Sequence, residues 1–196
     1  WPHRVDFDND GNVWLSYVGC CVVRFDPRTG DSTPFTGHGG GYGIAVDHSD
    51  GTVWFSPANR LDPETGLVDN WIGAGGGSLA FDSKANLWMA GFFGGITKWD
   101  RKTNSIMRWD VPVVRSRPYG MIVDFTDKVW FADYHTSGLT RFDPETEEFK
   151  HFNITPEKPT GIRRLGVDST NMIWTATYGS PNRQRGERNT GGSVFR

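Results

Sequence analysis

A tryptophan returns along this chain at intervals of about forty residues, and its surroundings return with it. The segments DNDGNVWLS, DHSDGTVWFS, DSKANLWMA, DFTDKVWFA and DSTNMIWTA place Trp14, Trp54, Trp88, Trp130 and Trp174 at spacings of 40, 34, 42 and 44 residues. An Asp stands six residues before the Trp in four copies (Asp8, Asp82, Asp124, Asp168) and seven before it in the other (Asp47). A second segment follows the first: VVRFDPRTG, ANRLDPETG, ITKWDRKTN and LTRFDPETE. Self-similarity at such a period is the mark of stacked supersecondary units, and it outranks any local signal.

Each unit reads as four short strands. Strand A is apolar and ends at the Asp, as in YGIAVD and YGMIVD. A polar turn rich in Asp, Asn and Gly, residues that tolerate positive φ or bond their own backbone, leads to strand B around the Trp. Strand C is the run closed by Asp-Pro-x-Thr-Gly, and strand D follows it. Four antiparallel strands per period with no helix signal predict an all-β fold, a β-propeller of four-stranded blades. A flat meander or solenoid fits less well, because strands A and B are apolar enough to be covered on both faces.

The units fall at about 1–37, 38–73, 74–112, 113–155 and 156–196 of a single domain. Arg196 occupies the strand C slot of Arg24, Arg60, Lys98 and Arg141, so the fifth unit is expected to break off inside that strand. Roughly four and a half blades predict part of a six- or seven-bladed propeller, with the remainder of that propeller as a partner covering the open faces.

A formal net charge of −2 gives no general attraction to nucleic acid, and no apolar run is long enough for a membrane helix. Neither a nucleic acid partner nor a membrane span is expected in this segment. Cys20 and Cys21 are adjacent. Neighbouring strand residues point to opposite faces, so two buried thiols are expected in place of a disulfide.

Strand order divides the connections between two faces. The A–B and C–D turns are short, stereotyped and acidic. The D–A and B–C connections are longer and variable, which is where function sits on a rigid scaffold. These loops carry Arg4, Arg115, Arg117, Arg163, Arg164, Arg183, Arg185 and Arg188, with Tyr42, Tyr119 and Tyr134 among them. Guanidinium forks match carboxylates and phosphates in two-point contacts. A small-molecule ligand, anionic in character, or a partner protein is the expected occupant of this mouth; the alternative is that the arginines are scattered solvated charges. The glycine runs GHGGGYG and GAGGGS lack a following Gly-Lys-Ser/Thr and a helix, so they are expected to be connections near the axis and not phosphate loops.

The unit PYGMIVD…DKVWFADYHTSGLTRFDPETEEFKHF resembles the blades of the streptogramin lyase family, also called virginiamycin B lyases, and the likeness runs through nearly all of the chain. The resemblance implies Mg2+ in the central mouth and the opening of a cyclic ester by elimination, with a His as base. It also implies a periplasmic or extracellular protein. Carried onto this chain, it makes Asp133, three residues past Trp130, the metal acid and His135, two further on, the base. Asp replaces the Glu of the family pattern, and Gly91 occupies the preceding-blade slot where a second His is wanted; His3 is the candidate to replace it. Tyr42, Arg115, Arg117, Tyr119, Tyr134, Arg163 and Arg164 are then the expected substrate contacts. Related blades also occur in lactonases and in sensor propellers, so a lactonase-type hydrolase and a non-catalytic binding propeller stand as alternatives.

Overall fold

The structure, a computed structural model, describes residues 2–70, 77–92, 94–136, 138–154, 161–178 and 194–196. The first sheet contains Pro2–Phe7 (β1), Val13–Tyr17 (β2), Cys21–Phe25 (β3) and Ser32–Phe35 (β4). The second contains Ile44–Val46 (β5), Val53–Phe55 (β6), Asn59–Leu61 (β7) and Val68–Asn70 (β8). Leu79–Phe81 (β9), Leu87–Ala90 (β10), Ile96–Asp100 (β11) and Ser105–Trp109 (β12) form the third. Pro118–Val123 (β13), Val129–Asp133 (β14), Gly138–Asp143 (β15) and Glu148–Asn153 (β16) form the fourth. The fifth sheet has three strands, Gly161–Val167 (β17), Ile173–Tyr178 (β18) and Val194–Phe195 (β19). Strands pair antiparallel in chain order within every sheet. The architecture is the expected all-β propeller of four-stranded blades.

The repeated Asp and Trp form one brace. In the first, third, fourth and fifth sheets one carboxylate oxygen of the Asp accepts backbone N–H groups of the A–B turn, and the other accepts the indole N–H six residues on. The indole bonds are Trp14 to Asp8 at 2.9 Å, Trp88 to Asp82 at 3.0 Å, Trp130 to Asp124 at 2.7 Å and Trp174 to Asp168 at 2.6 Å. The Asp thus ends strand A, shapes the turn and satisfies the one polar atom that a buried Trp brings with it. In the second blade the turn is one residue longer. Trp54 donates instead to the Thr52 hydroxyl at 3.2 Å, and Asp47 pairs with Arg101 of the third blade.

Directly across from the Trp, strand C supplies a cation: Arg24 faces Trp14, Arg60 faces Trp54, Lys98 faces Trp88 and Arg141 faces Trp130. The core lies between blades. Trp14 and Val22 of the first pack against Ile44, Val46, Phe55 and Leu61 of the second. Trp88, Ala90 and Ile96 of the third meet Met121, Val129, Phe131 and Phe142 of the fourth in the same way. The first and last sheets keep these faces open. Val5 and Phe7 are 52% and 57% exposed, and Trp174 is 40% exposed where Trp88 is 0%.

The A–B turns of neighbouring blades are tied together on the face opposite the long loops. Asn9 bonds His48, Ser83 bonds Asp127 and Phe125 bonds Asn171.

The two cysteines depart from expectation. Cys20 and Cys21 are joined by a disulfide. The opposite-face argument requires both residues to be in a strand, whereas Cys20 lies in the exposed turn after Gly19 (φ 76°) and only Cys21 begins β3.

Candidate functional site

Three blades carry an irregularity at the mouth end of strand A. The β1–β2 register shifts between Pro2 and Arg4, the β13–β14 register between Pro118 and Met121, and the β17–β18 register between Ile162 and Arg164. A bulge adds a residue to one strand and re-aims the side chains beside it. Here the affected stretches contain His3, Tyr119 and Arg163, and the first two turn toward the same place, with Arg164 following Arg163 into it.

That place is a cavity of about 250 Å³ lined by His3, Arg4, Tyr42, Gly77, Ser78, Phe92, Pro118, Tyr119 and Arg164. Every blade contributes to it. Glycine lets the backbones close in around it: a Cβ on Gly77 would run into the Ala90 carbonyl oxygen, and one on Gly120 into that of Arg163. This is the role of the glycines near the axis, at the positions the structure describes.

His3 is held from two sides. Its Nδ1 lies 2.9 Å from the Tyr42 carbonyl oxygen, and its ring meets that of Tyr42 edge-on with centroids 4.4 Å apart. A carbonyl only accepts, so this shorter contact calls for a protonated Nδ1, while the Arg164 Nη2, 3.3 Å from the same nitrogen, can only donate and competes with that tautomer. Arg164, from the fifth blade, donates to the His3 carbonyl oxygen at 2.6 Å. Burial, with Arg164, Arg4 and Arg163 behind it, lowers the His3 pKa below its ordinary 6.5, although the Tyr42 bond opposes this.

Arg4 has no such partners. Its Nε and Nη2 are buried without a hydrogen bond, and it makes no salt bridge among the described residues. Asp6, two residues along, already accepts from the backbone of Phe7 and Val46. Burial first, and then Arg164, pushes the Arg4 guanidinium down to about 9, which leaves it charged at neutral pH and poorly compensated. Among the described residues no carboxylate lines the cavity.

Behind Tyr119 stands a cluster of rings and cations. Phe92, Tyr119 and Tyr134 contact one another at centroid distances of 5.6 to 6.0 Å. Arg117 lies 5.3 Å over Phe92, and Arg163 lies 5.1 Å over Tyr134 while donating to its hydroxyl at 3.1 Å. These contacts fix the wall and engage both guanidiniums.

The structure therefore brings His3, Tyr42, Tyr119 and Arg164 onto one cavity, with Arg117, Tyr134 and Arg163 in the wall behind. Asp133 and His135 do not line it. Asp133 ends β14 fully buried, and its Oδ1 accepts the backbone N–H groups of Arg117, His135 and Thr136 at 3.2, 3.0 and 3.2 Å. It thereby caps its own B–C turn and clips that turn to the preceding D–A loop. Its Oδ2 is buried without a partner. His135 is exposed, edge-on to Tyr134. Arg115 is exposed on its loop at φ 62°, and Arg183, Arg185 and Arg188 lie outside the described residues.

His38 bonds the Gly39 carbonyl, and His151 bonds the Thr140 hydroxyl away from the mouth. Phe92, Ser78 and Pro118 are not among the expected ligand contacts, although Ser78 and Pro118 belong to D–A loops expected at the mouth. The only sequence signal for Phe92 was its place in a B–C loop, four residues past Trp88.

Mg2+ asks for several oxygen ligands, usually including carboxylates. Among the described residues no group of three or more His, Cys, Asp or Glu side chains is placed to hold a metal ion, and the mouth is crowded with guanidiniums. The described residues do not make up the implied site.

No family model matches the chain, and no curated protein matches it. Solved structures do. Virginiamycin B lyase from Staphylococcus aureus superposes with a TM-score of 0.75 at 16% identity, over 97% of this chain and 68% of that one. The extracellular domain of a hybrid two-component system from B. thetaiotaomicron gives 0.72 at 12% identity, over 94% and 27%. A gluconolactonase from Xanthomonas campestris gives 0.69 at 16% identity, over 92% and 69%. The chain spans about two thirds of the length of the lyase, and identities this low speak to architecture. It has the β-propeller fold seen in the streptogramin lyases.

Proposed function

We propose that this propeller binds a small organic anion in its central mouth. The observation that carries the reading is Arg4, a buried guanidinium with unpartnered nitrogens, next to Arg164 in a cavity wall whose described residues include no carboxylate. An uncompensated buried charge is costly, and a bound anion would supply the missing charge-assisted bonds. The test is protection against thermal unfolding by small organic anions in the wild type and in Arg4→Gln. Protection that needs Arg4 supports the reading; equal shifts in wild type, Arg4→Gln and Arg164→Gln reject it.

A second reading, the opening of a cyclic ester or lactone, is supported by His3. A neutral imidazole held in place by the Tyr42 carbonyl suits a general base. Asp133, whose Oδ2 is unpartnered, and His135 are the candidates in the neighbouring B–C loop, outside the cavity that His3 lines. Turnover of a cyclic depsipeptide or a sugar lactone, abolished in folded His3→Ala or His135→Ala chains, would support it. Absence of turnover by the folded wild type would reject it. A periplasmic or extracellular setting fits the extracellular neighbour and the Cys20–Cys21 disulfide, which persists in oxidising compartments.

A further inference from the structure

The cavity restricts which anion can enter. Arg117 and Arg163 are engaged by rings, and Arg164 donates to a backbone carbonyl, so among the described residues that line the cavity Arg4 is the guanidinium with two buried nitrogens left unsatisfied. One such fork, with Arg164 beside it, matches a single carboxylate. A phosphate or polyanion would call for several uncommitted donors.

Apart from the phenols of Tyr42 and Tyr119, the described lining is poor in hydroxyl and amide groups. Among the described residues Ser78 is the one hydroxylated aliphatic side chain there, and it reaches the Met121 carbonyl only at 3.5 Å. A sugar acid would leave its hydroxyls unpaired in such a wall, which a site rejects strongly. By contrast, Tyr42, Phe92, Tyr119 and Pro118 present ring faces and edges, with Phe92 and Tyr119 already edge-to-face at 5.9 Å and 71°. A further flat ring extends that packing. At about 250 Å³ the cavity falls just below the range of drug-sized sites and suits one ring with one acid group.

We infer that the mouth takes an aromatic monocarboxylate, its carboxylate on Arg4 and Arg164 and its ring against Tyr119 and Phe92. The inference rests on the anion-binding reading above and narrows it to a ligand class.

The test is calorimetric titration of the purified chain with benzoate, cyclohexanecarboxylate, benzamide, inorganic phosphate and gluconate. Benzoate is expected to bind at least about tenfold more tightly than each of the others, and Arg4→Gln to lose at least about tenfold in benzoate affinity. Tyr119→Leu, which keeps the charge, is expected to weaken benzoate binding and leave the weak phosphate binding unchanged. Phosphate, gluconate or cyclohexanecarboxylate binding as tightly as benzoate, with loss in Arg4→Gln, overturns the aromatic class and leaves the anion reading standing. No anion binding at all, or binding indifferent to Arg4→Gln and Arg164→Gln, overturns both. Should near-ultraviolet circular dichroism show Arg4→Gln unfolded, Tyr119→Leu decides: an equal loss for benzoate and phosphate, or no loss for benzoate, overturns the inference.

Discussion

Asp82 Oδ2 accepts the indole N–H of Trp88 at 3.0 Å, six residues further along the chain and deep in the interface between the third and fourth blades. The same carboxylate holds Asn86 and the turn between them. Removing it leaves a buried indole N–H and three turn donors, the Lys84 and Asn86 backbone N–H groups and the Asn86 side-chain amide, without their acceptor. Asp82→Ala is expected to lower stability by about 2 kcal/mol, read from urea unfolding. Asp82→Asn, which keeps one oxygen, should lose less.

The tryptophans are equivalent in sequence but not in environment. Trp88 is fully buried, and Trp88→Ala should cost about 3–5 kcal/mol. Trp174 is 40% exposed, and Trp174→Ala should cost about 1–2 kcal/mol. Equal losses in paired denaturation curves would mean that the last blade face is covered in solution.

Acid should attack the braces together. Burial would raise the pKa of Asp8 and Asp124, but bonds from Asn12 and Trp14, and from Thr126 and Trp130, outweigh it and leave both below the ordinary 3.8. Bonds from Thr170 and Trp174 lower Asp168 as well. A carboxylate lowered in the fold takes up its proton more readily once unfolded. This contribution is therefore whole above pH 3.8 and is lost as pH falls through the lowered values. Tryptophan emission followed during acid titration should report a transition beginning below about pH 4.

The mouth should respond to pH in its own way. His3 has a lowered pKa, so it is neutral in the free protein at pH 7 and charges only below 6.5. Its contribution to stability is present above 6.5 and declines as pH falls, because the unfolded chain binds that proton first. A bound anion favours the protonated ring. Anion affinity is accordingly expected to increase as pH drops below 6.5, and His3→Gln should abolish the increase. Titrations at pH 7.5 and 5.5, about one unit to either side, would show it.

Much of this was legible in the sequence, since one period repeated five times fixes the blades and the side of the fold that carries long loops. The Asp-to-Trp spacing was visible too, although its cause, a carboxylate bonded to an indole, became clear only from side-chain geometry. The mouth was harder to read. His3, Tyr119 and Arg163 are aimed by bulges, and a one-residue slip within an otherwise regular strand leaves no mark in composition or hydropathy. Asp133 stood out because no other blade has an acid in its slot, yet what the structure displays is a turn cap. Arg4 was one arginine among eight; its isolation depends on what the others do with their own guanidiniums. The vicinal disulfide escaped because strand alternation was extended one residue into a turn.

Arg101 reaches from a C–D turn of the third blade to Asp47 and Asp50 in the A–B turn of the second. The extra residue in that turn has moved Trp54 off Asp47 and onto Thr52. An insertion of one residue has thus turned a clasp within a blade into a strap between blades. Repeated folds of this kind can drift in their turns and acquire new ties between units while every sheet stays in register. The same freedom, exercised at the other face, is what lets equivalent slots hold a proline, a glycine, a threonine or an aspartate.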